Sequence, residues 1–244
     1  MTGARSAILT YHSLDESGSV ISIPPILFRR QMEFLAASGI PVVSLNEALS
    51  CPGSVAVTFD DGYRNLLDHA IPVLERYRLP ATIFIVSEYC GRNNNWPNQP
   101  HGSVPDQPLL SWEELSALPP LISVGAHAMT HPDLTRLSAK ECDRELGGCQ
   151  VQIEQRLRRP VRWLAYPYGA SSPQVRSLAG QYFDLAVGTS LRFLSTRSSR
   201  LDLPRIDAYY LSGRFSLERL FTAPASLFIG LRRLLRDARR FAFR

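Results

Sequence analysis

The stretch Val55-Ala56-Val57-Thr58-Phe59-Asp60-Asp61-Gly62 decides how the chain reads. A short apolar run bounded by a turn signal predicts a buried strand. The run ends in two adjacent acids and a glycine, and a buried strand has no structural use for two carboxylates. Side chains alternate in direction along extended chain, so Asp60 and Asp61 should point different ways. One can hold a metal while the other handles a proton. The alternative is a helix N-terminus, because Asp caps helices and a helical pattern follows from Asn65. Capping explains one of the two acids.

Outward from this stretch the chain alternates strand-like and helix-like runs. Ala7 to Tyr11 reads as a strand, with His12 just past its end. Pro24-Pro25 opens a helix with Phe28, Met32, Leu35 and Ala36 on one face, stopped by Gly39. Residues 40–45 are strand-like. Asn65 to Leu79 shows a helical face of Leu66, Leu67, Ala70, Val73, Leu74 and Tyr77, and Pro80 stops it ahead of a strand over 81–86. Ser111 with Glu114, and Ser138 with Glu141, make capping boxes. The second opens a helix with Cys142, Leu146, Cys149, Ile153 and Leu157 inward. Further strands read at 121–125, 161–166, 182–187 and 203–207, with a helix starting at Ser172-Pro173.

This pattern predicts an α/β fold of about seven strand–helix units with parallel pairing, closed as a barrel by 203–207. The chemically unusual residues each follow a strand: His12, Asp60 and Asp61, His127 and His131, and Tyr168. In a parallel α/β barrel those positions gather at one face, where such barrels keep their active sites. Residues 87–110 break the rhythm with a loop rich in Asn, Pro and Gly that carries Trp96 and His101. An exposed Trp among amides suits a stacked sugar ring; a variable surface insertion is the alternative.

The chain has 244 residues with 45% hydrophobic content, enough for one barrel-sized domain. The net charge of +5 is concentrated at the end: residues 212–244 hold eight Arg against Glu218 and Asp237, leaving the remainder near −1. The basic pI therefore belongs to the tail, and no nucleic acid partner is expected for the main domain. The expected division is a barrel over 1–211 and a basic tail over 212–244. The four cysteines, Cys51, Cys90, Cys142 and Cys149, form no CxxC and read as small apolar residues in a reducing compartment. Met1 to Ser6 runs straight into the first strand without a signal-like pattern, and no run reaches the ~18 apolar residues of a membrane span. A cytoplasmic location is expected.

His127 and His131 are four apart and converge either on a helical turn or in a compact loop. With Asp61 they make an Asp-His-His set. Three N/O ligands with open positions for water describe a catalytic metal site, not a structural one.

Thr58-Phe-Asp-Asp-Gly62, His127-Ala-Met-Thr-His131-Pro132 and Ala165-Tyr-Pro-Tyr-Gly169 together resemble the polysaccharide deacetylase family, also called the NodB-homology domain or carbohydrate esterase family 4. Leu9-Thr-Tyr-His12-Ser-Leu looks like the opening of the branch that acts in exopolysaccharide and capsule synthesis. Pro108-Leu-Leu-Ser-Trp112 and Leu203-Pro-Arg-Ile206 add support, and the resemblance covers roughly residues 7–208. It implies an irregular (β/α)7 barrel and metal-dependent hydrolysis of an N-acetyl amino sugar in a polysaccharide or its lipid-linked precursor. It implies a divalent metal, usually zinc, on Asp61, His127 and His131, with Asp60 as general base. The Tyr168 backbone N–H would face the oxyanion, and Trp96, Pro167 and Tyr168 would contact substrate. Two departures stand out. Many members carry an Arg, paired with the catalytic Asp, where this chain has Ala165; Arg205 can substitute from the next strand end. The late His that serves as general acid is missing, and His12 is the candidate for that role. His69 reads as surface or structural, and His101 as a substrate contact.

Two other readings keep the same residues: a deformylase or other C–N amidohydrolase on a small molecule, and a degenerate carbohydrate-binding module. In the tail, Leu227, Leu231, Leu234, Leu235, Ala238, Phe241 and Ala242 recur at helical spacing among Arg232, Arg233, Arg236, Arg239 and Arg240. Such a helix either lies on an anionic membrane surface, making the protein peripheral on the inner face, or packs its apolar stripe on the barrel.

Overall fold

A computed structural model of the chain describes residues 5–97, 99, 104–213, 215–222 and 224–242. His101 and the side chains of Ala238, Arg239, Arg240, Phe241 and Ala242 lie outside the described residues.

Seven parallel strands form one curled sheet: β1 (Ala7–Tyr11), β2 (Val55–Phe59), β3 (Ala81–Ile85), β4 (Ile122–Ala126), β5 (Trp163–Ala165), β6 (Leu185–Val187) and β7 (Ile206–Asp207), in the order β6-β5-β4-β3-β2-β1-β7. Helices α1 (Pro25–Ala37), α2 (Leu66–His69), α3 (Ile71–Tyr77), α4 (Trp112–Ser116), α5 (Ala139–Leu157) and α6 (Pro173–Ala179) join them, and α7 (Leu217–Leu220) and α8 (Ala225–Ala242) follow. The circuit is completed irregularly: Leu203 bridges to Val187 of β6, and three residues later Ile206 pairs with Leu9 of β1. This is the expected (β/α)7 barrel.

The period-2 alternation of strands sorts the side chains. In β2, Val55, Val57 and Phe59 join the helices in the main core, while Ala56 belongs to the cluster inside the barrel. Ala56, Thr58 and Asp60 share that inner register. So do Ile8, Thr10 and His12 on β1, and Phe84 on β3 belongs to the same inner cluster. The site residues thus continue the inward rows of their strands at the mouth of the barrel.

Both capping boxes form, on α4 and α5. Two expectations change. The helix over 65–79 is broken into α2 and α3, because Pro72 in the first turn of α3 lacks the N–H that a continuous helix needs. The strand over 40–45 reduces to one bridge, Val42 to Val55. β1 and β3 already flank β2, and β3 pairs only from Val57 onward, so just the first two residues of β2 have a free edge for it.

The core also runs through the expected division at 211/212. Leu217 and Leu220 are fully buried, and Ala225 and Ile229 at the start of α8 are buried with them.

Candidate metal centre and active site

Asp60 and Asp61 diverge because the chain turns sharply as β2 ends. Asp61 takes φ 68° and Gly62 φ 78°, and the Gly62 N–H donates to the Asp60 carbonyl at 2.8 Å. A Cβ on Gly62 would stand 3.0 Å from Cγ2 of Ile85, so the turn needs glycine for both conformation and space. Among the described non-glycine residues with positive φ, Arg78 and Arg158 close helices. The others are Asp61, Ala128 (63°), His131 (58°) and Tyr168 (57°), all in the loops above the barrel. Left-handed backbone costs on the order of 1–3 kcal/mol per residue and gathers where geometry serves chemistry.

Asp61, His127 and His131 converge. Asp61 Oδ1 lies 3.4 Å from His127 Nε2 and 3.5 Å from His131 Nε2, and all three side chains are buried. His127 donates Nδ1–H to the Ala165 carbonyl at 2.7 Å, which leaves Nε2 as its lone-pair nitrogen when the ring is neutral. Asp61 Oδ1 is buried without a hydrogen-bond partner among the described residues. A carboxylate oxygen and two imidazole nitrogens, converging on one point and undersatisfied there, fit a divalent cation with N/O preference.

The electrostatics agree. Burial pushes the His131 imidazole down to about 3, so the ring is neutral and able to ligate. Burial would lower His127 as well, but the Asp61 carboxylate 3.4 Å away and the charge of Asp60 outweigh this and hold it above the ordinary value. Burial would raise Asp61, yet the two imidazoles keep it below the ordinary carboxylate range.

The His127–His131 segment is a compact loop, not a helical turn. Glu145 of α5, only 4% exposed, holds it. Its Oε2 accepts from the amide N–H groups of Met129 (2.9 Å) and Thr130 (3.0 Å), and its Oε1 accepts from the Thr130 hydroxyl (2.9 Å). Glu145 is absent from the expected site. Its sequence signal is an acid flanking the apolar stripe of Cys142, Leu146 and Cys149.

Asp60 is bound differently from Asp61. Arg205 grips it in a fork, Nη1 to Oδ1 at 2.7 Å and Nη2 to Oδ2 at 2.6 Å. Arg205 is itself fixed by Nε–H to the Gly188 carbonyl (2.8 Å) and by Nη1 to the Thr58 hydroxyl (3.2 Å). His12 Nε2 lies 3.8 Å from Asp60 Oδ2. Burial alone would raise the Asp60 carboxyl; the Arg205 charge, with His127 and His12, overcomes this and holds it far below its usual range. The place vacant at Ala165 is thus supplied from Arg205.

Trp96 is not the exposed ring that the loop composition suggests. It is 5% exposed, with its ring centroid 4.3 Å from that of His131 and 5.6 Å from that of Tyr89. Tyr63 and Asn94 explain the burial: the Asn94 amide donates to the Tyr63 hydroxyl (2.9 Å) and the Pro105 carbonyl (3.1 Å), folding the loop back onto the barrel. Tyr168 closes the other side of His131, with ring centroids 4.6 Å apart. Tyr168 remains 39% exposed and borders a cleft of about 320 Å³ with Pro132, Asp133, Arg136 and Leu137. Pro167, ahead of it, is buried. His69 lies at the end of α2.

A sequence model described as polysaccharide deacetylase matches residues 50–182. The chain belongs to the polysaccharide deacetylase family. The Bacillus subtilis (strain 168) protein YxkH is 25% identical over 175 residues, 68% of this chain and 57% of that protein. The chitooligosaccharide deacetylase of Rhizobium leguminosarum bv. trifolii is 30% identical over 135 residues, 52% of this chain and 55% of that protein. The chain spans little more than half the length of these relatives. Among solved structures, the Streptococcus pyogenes deacetylase PplD, in complex with acetate, shares the fold with a TM-score of 0.74 at 22% identity, over 90% of this chain and 97% of that one.

Proposed function

We propose that this polysaccharide deacetylase hydrolyses the acetamide of an N-acetyl amino sugar, in a polysaccharide or its lipid-linked precursor, giving acetate and the free amine. The observation that carries the reading is the division of labour between neighbouring carboxylates. Asp61 points with two imidazole nitrogens at a common centre, while Asp60 is turned away and clamped by Arg205. The names of relatives support an amino-sugar substrate: chitooligosaccharide deacetylase, and the poly-β-1,6-N-acetyl-D-glucosamine N-deacetylase of Staphylococcus epidermidis.

A divalent cation on Asp61, His127 and His131, zinc by its liking for such ligands, would polarise the acetamide carbonyl and acidify the attacking water. Asp60 takes the proton from that water as its oxygen joins the carbonyl carbon. Arg205 keeps Asp60 ionised and fixes both of its oxygens, so proton transfer occurs from one defined direction. The Tyr168 amide N–H makes no hydrogen bond within the described residues and is available to the oxyanion. His12, with Nε2 3.8 Å from Asp60 Oδ2, gives a proton to the amine as the C–N bond breaks. The cleft beside Tyr168 holds the neighbouring sugar.

The test is product release by the zinc-loaded chain from N-acetylated chitooligosaccharides, lipid-linked N-acetyl sugars and N-formyl analogues. Acetate from the sugars is the expected result. Formate alone would transfer the chain to a deformylase, and no product with metal bound would favour a binding module.

A further inference from the structure

Helix α8 turns its apolar stripe away from the barrel. It meets the barrel through Ala225 and Ile229, 0% and 3% exposed, whereas Leu227, Leu231, Leu234 and Leu235 are 78%, 56%, 63% and 51% exposed. At 3.6 residues per turn these four leucines fill an arc of about 100° centred opposite Ile229. Arg232 and Arg233 lie beyond the two edges of the arc, by about 60° and about 100°. The described residues leave these leucines uncovered, which argues against packing on the barrel as the reason for the stripe.

The composition of the tail says what does. A second copy docked stripe to stripe would bring two arginine-flanked helices together, and residues 212–244 supply only Glu218 and Asp237 against eight Arg. An anionic bilayer takes both features at once: leucines enter the acyl boundary while arginine stems reach back to the phosphates. We propose that α8 docks this chain on the surface of a membrane containing anionic phospholipid.

The helix also orients the chain on that surface. Its start is tied near the beginning of β1, where Arg5 Nη1 donates to the Thr222 carbonyl at 3.0 Å. Further along, Arg236 Nη2 donates to the carbonyl of Thr189, and the Thr189 side chain occupies the space where a Cβ on Gly169 would stand. The later turns of α8 therefore lie beside the 167–169 turn that presents Tyr168. The helix thus runs along the flank of the barrel from the base of β1 towards the mouth, and its last described turns bring the docked surface up to the mouth, which suits a glycan held at the membrane. That last point rests on the proposed deacetylation; the docking does not.

The test is sedimentation of the chain with vesicles of phosphatidylcholine alone and of phosphatidylcholine with phosphatidylglycerol, read without turnover. The wild type should pellet only with the anionic vesicles. Leu231→Glu with Leu234→Glu, and Arg232→Glu with Arg233→Glu, should each lower the partition coefficient at least about tenfold and leave hydrolysis of a soluble substrate unchanged. Wild type remaining in the supernatant, or either double variant pelleting as before, overturns the proposal. So does a wild-type dimer, seen by light scattering without vesicles, that the leucine variant dissociates, since the stripe would then belong to a second copy.

Discussion

Arg205 and Asp60 meet in a two-point fork inside the barrel mouth, with guanidinium nitrogens 2.7 and 2.6 Å from the two carboxylate oxygens. They are 145 positions apart in sequence and come from the ends of β2 and the β7 approach. The pair makes Asp60 a carboxylate that stays ionised and aimed, and it makes Arg205 the residue whose loss is felt in both stability and rate.

Arg205→Ala should leave Asp60 buried without its cation. Breaking such a pair costs about 3–5 kcal/mol, read as a lowered melting temperature. Because the native Asp60 carboxyl is depressed, the pair stabilises the fold above the unfolded Asp value and that contribution is lost as pH falls through the native one. In a folded Arg205 variant the acid limb of kcat/KM should move to higher pH. Arg205→Lys should recover stability in part and rate poorly, because a single ammonium cannot make the fork. An acid limb that stays in place would show that Arg205 does not tune the base.

Metal loading should strengthen as pH rises. His127 must lose its proton from Nε2 to ligate, and its imidazole is held above the ordinary value by Asp61 and Asp60 against the effect of burial. Zinc titration by calorimetry in buffers of different ionisation enthalpy should show proton release below and around neutral pH, fading above it. Asp61→Asn, isosteric and uncharged, should abolish high-affinity binding. Zinc bound equally well by that variant would place the metal elsewhere.

Glu145→Ala should strand three donors in the loop between the histidines, each costing about 1–3 kcal/mol if left unpaired. Zinc affinity should fall by about 10–100-fold, as for lost partners of metal ligands generally. Glu145→Gln keeps an acceptor for the amides and should restore most of the affinity. Unchanged affinity in the alanine variant would make Glu145 a packing residue only.

His12→Ala should keep its metal and lose about 10²–10⁴-fold in kcat on acetamides. The loss should be far smaller on an aryl acetate, whose leaving group departs without a proton. An equal loss on both substrates would remove His12 from the role of acid.

Much of this site was legible in the sequence because strand ends leave local marks. Asp60, Asp61 and Gly62 close an apolar run, and His127 and His131 follow another, so their clustering needed only the barrel topology. Arg205 was legible as a strand-end cation, but its two-point geometry depends on the curl of the sheet between β2 and β7. Trp96 read as exposed because loop composition carries no record of Asn94 reaching Tyr63. Glu145 was missed because its partners are backbone amides, which no side-chain pattern marks. The stripe on α8 was visible as a periodicity, but periodicity does not say which face meets the barrel; Ile229 and Ala225 decide that.

In the proposed mechanism Asp60 acts as base without holding the metal. Zinc content and acetate release from an N-acetylated chitooligosaccharide, measured on wild type and on Asp60→Asn, test this most directly. The predicted result is zinc retained by both and turnover lowered in the variant by about 10²–10⁴-fold. Full turnover by Asp60→Asn, or loss of zinc along with activity, would contradict it.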